Sequence, residues 1–203
     1  ENFYFERLHP EVDAAVRGMA RRAADLGAEV ALVRVPDIEA INVVSRVILL
    51  CEAAAALERF ADRRADFGPD VLALFDQGRL IPATDYVNAQ RLRRVQQREF
   101  QAVWKQADVL LTPCTPTPAP RIGELQIEVG GVVEDARLAS TRFMRGINLL
   151  GLPALALPCG LSASGLPLGA QIIGPAFEEV RVLRVGAALE DANGGIGAPP
   201  EGV

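Results

Sequence analysis

The chain has 203 residues, half of them apolar and 23% charged, with a formal net charge of −5. That is enough apolar length for one packed domain, and the acidic balance excludes a protein whose main task is gripping phosphate backbones. Cys51, Cys114 and Cys159 are scattered with no CxxC pair, which excludes a disulfide framework and fits buried thiols in a reducing, cytoplasmic setting.

In chain order, the opening ENFYFE resembles a protease-tag remnant but departs from one at Phe3 and Glu6, and is read as native. Pro10 suits a first helical turn, with Glu11 and Asp13 at the positive end of the dipole. Val12, Ala15, Val16, Met19, Ala20, Ala23 and Leu26 recur at helical spacing, and Gly27 stops the run. AEVALVRVP (28–36) alternates and predicts a strand, completing an α/β unit. Residues 38–66 predict one or two helices, with Ala53 to Ala56 strongly helix-favouring, until Gly68-Pro69 breaks them. A short helix follows over 69–77 and ends at Gly78.

A long helix from near Pro82 to Gln106 has Tyr86, Ala89, Leu92, Val95 and Val103 as its apolar positions. ADVLLTP (107–113) predicts a buried strand. CTPTPAP (114–120) predicts a rigid loop, because successive prolines fix φ and remove donors. IEVGGVVED (127–135) predicts a hairpin about Gly130-Gly131. STRFMRGINLLG (140–151) predicts a short helix capped by Ser140 or Thr141. ALALPCGLSASGLPLGAQIIG (154–174) reads as two apolar strands joined by a Ser/Gly turn, with Pro153 and Pro158 placing the first at an edge or a bulge. Residues 176–191 predict an amphipathic helix with Val180, Leu183, Ala187 and Ala188 inward and Arg181 and Arg184 solvated, and a frayed tail from Gly194. The longest apolar run, near Val43 to Leu57, is interrupted by Ser45, Arg46 and Glu52 and falls short of the ~20 residues of a membrane span.

Reactive chemistry is sparse. The one histidine, His9, precedes a helix-starting proline, so no Ser-His or Cys-His system and no metal cluster is expected. GLSASG (160–165) misses the nucleophile-elbow spacing and joins two strands. Lys105, the one lysine, reads as a solvated helix charge. Arg91, Arg93, Arg94 and Arg98 lack aromatic platforms for RNA and read as a solvated face with one arginine turned inward. No cofactor, nucleic acid or membrane partner is expected. The segment NLLGLPALALPCG (148–160) looks like the wall of a ligand site whose reactive groups lie elsewhere.

Five segments in order, FYFERLHPEVDAAV, YVNAQRLRR, DVLLTPCTPTPAP, NLLGLPALALPCG and GLPLGAQIIGPAFEE, resemble the C-terminal half of the amidase signature family. The resemblance implies an α/β fold whose mixed central sheet, flanked by helices, is incomplete in this chain. It makes residues 1–203 the C-terminal portion of a single amidase domain with the N-terminal catalytic half absent. Family members cleave or transfer amides with two serines and a lysine in their N-terminal half. This chain has four non-adjacent serines and none of that stretch, so no catalytic residue is assigned to it.

The resemblance also implies substrate-binding roles. Arg93 matches an arginine that faces a substrate carboxylate in glutamine-using members, and a guanidinium suits bidentate binding. Thr141, seven residues before Asn148, stands where those members carry an aspartate for the substrate amine. Asn148 offers donor and acceptor, and Gly151 permits close backbone approach. The substitution at Thr141 favours a general amidase acting on a small-molecule amide. The A-type component of a tRNA-dependent glutamine amidotransferase, and a non-catalytic ligand-binding or assembly module, are the alternatives. A sheet cut through its middle leaves bare edges, so a homo-oligomer or swapped dimer is expected.

Overall fold

The computed structural model describes residues 2–194. Along the chain run helices α1 (Pro10–Asp25), α2 (Ile38–Leu57), α3 (Pro69–Arg79) and α4 (Ala83–Phe100), then strands β1 (Leu110–Pro113), β2 (Gln126–Val129) and β3 (Val132–Asp135). Helix α5 (Ala136–Leu150), strands β4 (Ala154–Leu161) and β5 (Pro167–Ile173), and helix α6 (Glu179–Asn193) complete it. The fold is mixed α/β. The main sheet has the antiparallel order β1-β5-β4, and β2 and β3 form a separate hairpin.

Strand periodicity divides the sheet into two faces. Leu157, Cys159, Leu168, Ala170 and Ile172 pack with Val12, Val16 and Met19 of α1 and Val182 and Leu189 of α6. A second core brings Tyr4, Ile38, Ile41, Phe143 and Ile147 to the opposite side, where it meets Leu110 and Ile173. β4 lies at the sheet edge and is bulged between Pro158 and Gly160, as its prolines require. The hairpin turn has φ of 59° at Gly130 and 78° at Gly131, a left-handed pair that two glycines adopt at low cost.

Several expectations are corrected. Residues 28–36 form no strand, because no strand runs beside them; Val30 and Leu32 are exposed, and Asn2 meets Val35 instead, accepting from its N–H at 2.9 Å and donating to its carbonyl at 3.0 Å. Gly78 lies inside α3: a Cβ there would stand 2.1 Å from the Leu50 carbonyl oxygen, so this glycine serves helix contact, not termination. On α4, Leu92 and Val95 are exposed while Ala89, Gln96 and Phe100 are buried. α5 starts four residues earlier than expected, with Asp135 as N-cap accepting from the Leu138 N–H at 2.8 Å. Ser140 and Thr141 instead donate back to the Ala136 and Arg137 carbonyls. On α6 the inward residues are Val182, Gly186 and Leu189, and Val180 and Leu183 are exposed. The reason is Gly186, whose missing Cβ lets the helix settle on Leu155. The expected fraying beyond Gly194 lies outside the described residues.

α2 with its 3-10 extension runs 23 residues, Ile38–Phe60, and holds an 18-residue window of mean hydropathy 1.8, so by length and composition it is long and apolar enough to cross a membrane. One face of it packs into the core, with Ile41, Val44 and Ile48 buried and Asn42 and Ser45 donating to the Arg142 and Arg145 carbonyls of α5, while Val43 and Leu49 are exposed. At the chain start, Arg7 holds a left-handed φ of 52°. The buried Arg142 guanidinium fixes that turn by donating to the Glu6 carbonyl at 3.2 Å, to the Arg7 carbonyl, and to Glu134 at 3.0 Å.

Candidate functional site

The C-terminus of α5 gathers three of the four site residues expected from the sequence. Gly151 ends the helix at φ 70° and ψ 39°, with its N–H on the Ile147 and Asn148 carbonyls, both at 3.1 Å. The last carbonyls of a helix lack intrahelical partners. Two side chains of α4 supply them: Arg93 Nε donates to the Leu149 carbonyl at 2.6 Å and Gln97 Nε2 to the Leu150 carbonyl at 2.9 Å. Arg93 is the one member of its arginine cluster that is half-buried; Arg91, Arg94 and Arg98 are exposed. Its Nη2 lies 3.7 Å from where a Cβ on Gly151 would stand. One guanidinium edge is thereby fixed by backbone, and its terminal nitrogens lie beside the Gly151 turn. Asn148 is exposed one residue before the carbonyl that Arg93 grips.

Thr141 lies apart. Seven residues of helix put it about 10 Å from Asn148 on the same face. Its hydroxyl is already committed, donating to the Arg137 carbonyl at 2.9 Å and accepting from Arg145 Nε at 3.0 Å. Arg145, which the sequence reading missed, therefore lies over Thr141, its guanidinium reaching back to donate to the Leu138 carbonyl at 2.6 Å. Burial lowers its pKa, with Arg46 adding repulsion. Its place in the sequence, four after Thr141 and three before Asn148, was the available signal.

A cleft of about 420 Å³ opens beside this end of the sheet. The proline loop after β1 forms one wall, and Ala156, Leu157 and Pro158 of β4 with Leu168 and Gly169 of β5 form the other. Ser140 of α5 closes it, and the cleft includes part of the 148–160 wall. Among its residues Cys114 has a thiol pushed up to about 11, by burial first and by the neighbouring Cys159 second.

No nucleophile is poised beside a base among the described residues. Ser45 and Ser140 bond helix carbonyls, and Ser162 and Ser164 bond each other at 2.9 Å within the hairpin turn. Lys105 is exposed. His9 caps α1, its Nδ1 accepting from the Glu11 N–H at 3.4 Å.

A family model described as Amidase matches residues 1–183. Among curated relatives, an amidase of Pseudomonas putida is 39% identical over 95% of this chain and 41% of its own length. The A-subunit of a glutamyl-tRNA(Gln) amidotransferase from a Synechococcus strain is 33% identical over 99% of the chain and 45% of its own. A crystal structure of an amidase superposes with a TM-score of 0.84 at 31% identity, over 91% of this chain and 42% of that one. A chain from a vestigial complex related to the origins of an s-triazine catabolic enzyme superposes at 0.83 and 32% identity, over 94% and 41%. The chain thus spans less than half the length of these relatives.

Proposed function

The chain belongs to the amidase family, and from that premise we propose that it is the C-terminal, substrate-side portion of a serine amidase whose nucleophile, second serine and lysine lie in a preceding N-terminal half. The observation carrying this reading is a conjunction. The chain matches about two-fifths of its relatives' length end to end, and each of its serines is tied to a structural partner.

In the whole enzyme a serine attacks the carboxamide carbon, the amine leaves, and water releases the acyl group. This chain supplies binding and orientation. Arg93, held by the Leu149 carbonyl, presents its terminal nitrogens to an acceptor oxygen; Gly151 keeps the approach clear; Asn148 offers amide donor and acceptor. Thr141 with Arg145 supports a general amidase over a glutamine-dependent amidotransferase, because a guanidinium beside Thr141 repels a substrate ammonium. Three free thiols suit a reducing, cytoplasmic location.

A fluorophosphonate probe tests this directly. The 203-residue chain is expected to remain unlabelled and to hydrolyse no amide. Stoichiometric labelling, or coding sequence upstream of Glu1 that lacks paired serines and a lysine, overturns the reading.

A further inference from the structure

We propose that the cleft between the proline loop and the β4-β5 hairpin is a subsite for an uncharged, apolar substituent of ring size on the carboxamide substrate, a specificity that rests on the amidase reading above. The geometry carries it. Pro118 and Pro120 face the cleft from the loop, and Pro158 and Pro167 from the hairpin. None of these four has a backbone N–H, so both walls are poor in donors. No lining residue is charged.

Several of the polar groups present are already used, and the lining carries no charge to hold an ion. Thr115 Oγ1 donates to the Thr117 carbonyl at 2.9 Å, and Ser140 Oγ to the Ala136 carbonyl at 2.7 Å. The Pro158 carbonyl accepts from Asn193 at 3.1 Å, the Gly169 carbonyl from the Cys114 N–H at 3.0 Å, and the Leu168 carbonyl from the Cys159 thiol at 3.3 Å. A charged group entering here would give up water and meet no opposite charge, whereas an apolar ring gains contact on two sides. The volume of about 420 Å³ accommodates such a group within the usual range of small-molecule sites.

Cys114 lines the cleft and Cys51 does not, so the two thiols serve as reporter and control. The full chain is alkylated with iodoacetamide at pH 9 and each cysteine is followed by peptide mass spectrometry, with benzamide or its 4-carboxylate analogue present. Benzamide at millimolar concentration is expected to slow modification of Cys114 at least threefold and to leave Cys51 unchanged. The carboxylate analogue is expected to protect neither. Ala156→Leu, on the exposed face of β4, is expected to abolish the benzamide effect by filling the cleft. Equal protection by both amides, or none by benzamide, overturns the subsite. The assay needs no catalysis. An enzyme that proves not to be an amidase while benzamide still protects Cys114 sinks the functional reading alone, and an active amidase without protection sinks the subsite alone.

Discussion

Arg93 Nε donates to the carbonyl oxygen of Leu149 at 2.6 Å, joining α4 to the end of α5 across 56 residues of sequence. A charged donor on an otherwise orphaned helix carbonyl is worth about 1.5–3 kcal/mol, and a neutral one about 1. Arg93→Ala should therefore lower the urea-unfolding free energy by about 2 kcal/mol, and Gln97→Ala by about 1. Because the two caps grip adjacent carbonyls, the double variant should depart from additivity by more than 0.5 kcal/mol. Additive losses would mean that the caps act independently and that α4 does not orient the turn at Gly151 as a unit.

Arg142 is 5% exposed and holds Glu134 at 3.0 Å together with the Glu6 and Arg7 carbonyls. Burial lowers its pKa and the Glu134 carboxylate opposes that shift. Removing the carboxylate leaves a guanidinium buried and uncompensated, a loss of about 3–5 kcal/mol in comparable pairs. Glu134→Gln should accordingly cost about 3 kcal/mol in denaturant unfolding. Glu39→Gln, at the exposed rim of the same network, should cost less than 0.5.

The sequence was legible where local rules decide. Proline at the start of α1, paired glycines at the hairpin turn and the apolar strands about the Ser/Gly turn each act within a few residues. It failed where distant partners decide. Residues 28–36 alternate like a strand but have no strand to bond to. α6 turns on Gly186, whose value shows only once Leu155 lies against it. Arg93 and Gly151 were singled out in the sequence as candidates, and the structure brings them together at the end of α5. Arg145 and the cleft were not, because the cleft assembles three segments that no spacing rule connects.

Gly78 and Gly186 separate two kinds of close approach. A Cβ on Gly78 would meet the Leu50 backbone oxygen at 2.1 Å, and one on Gly186 the Leu155 Cδ2 at 2.2 Å. Backbone cannot yield, whereas a leucine methyl can rotate away. Gly78→Ala should therefore destabilise by about 3 kcal/mol and push α3 from α2, while Gly186→Ala should cost about 1. Thermal melts of the two variants test the order, and a reversed order would show that α6 is held more rigidly on the sheet than α3 on α2.

Burial pushes the Cys159 thiol up to about 11, with its own backbone N–H and Arg22 opposing the shift. Its ordinary value is 9.0, so between these limits the unfolded chain has lost a proton that the folded chain keeps. Stability from this thiol is complete below pH 9 and is lost as pH rises toward 11. Urea unfolding at pH 8 and pH 10.5 should show that decline, and Cys159→Ala should make it shallower. An unchanged slope would mean that the thiol ionises in the fold as easily as in water.

Strand β4 lies open at one edge of the main sheet. Its eight residues, ALALPCGL, contain no charge, whereas exposed edges are normally blunted by lysine or charged neighbours. Arg181 reaches Asp108 on the β1 side of the sheet, so helical geometry turns Val180 and Leu183, exposed at 69 and 58%, toward the β4 side. A compact 21.7 kDa monomer exposes about 9,200 Å², and this chain exposes 12193 Å². Unless a longer polypeptide covers this side, the isolated chain should self-associate, sedimenting as a dimer or larger at micromolar concentration. Leu161→Lys, at the exposed end of β4, should shift it toward monomer without lowering the unfolding midpoint. A wild-type chain that sediments as a sharp monomer would show that the edge and the α6 stripe do not drive association.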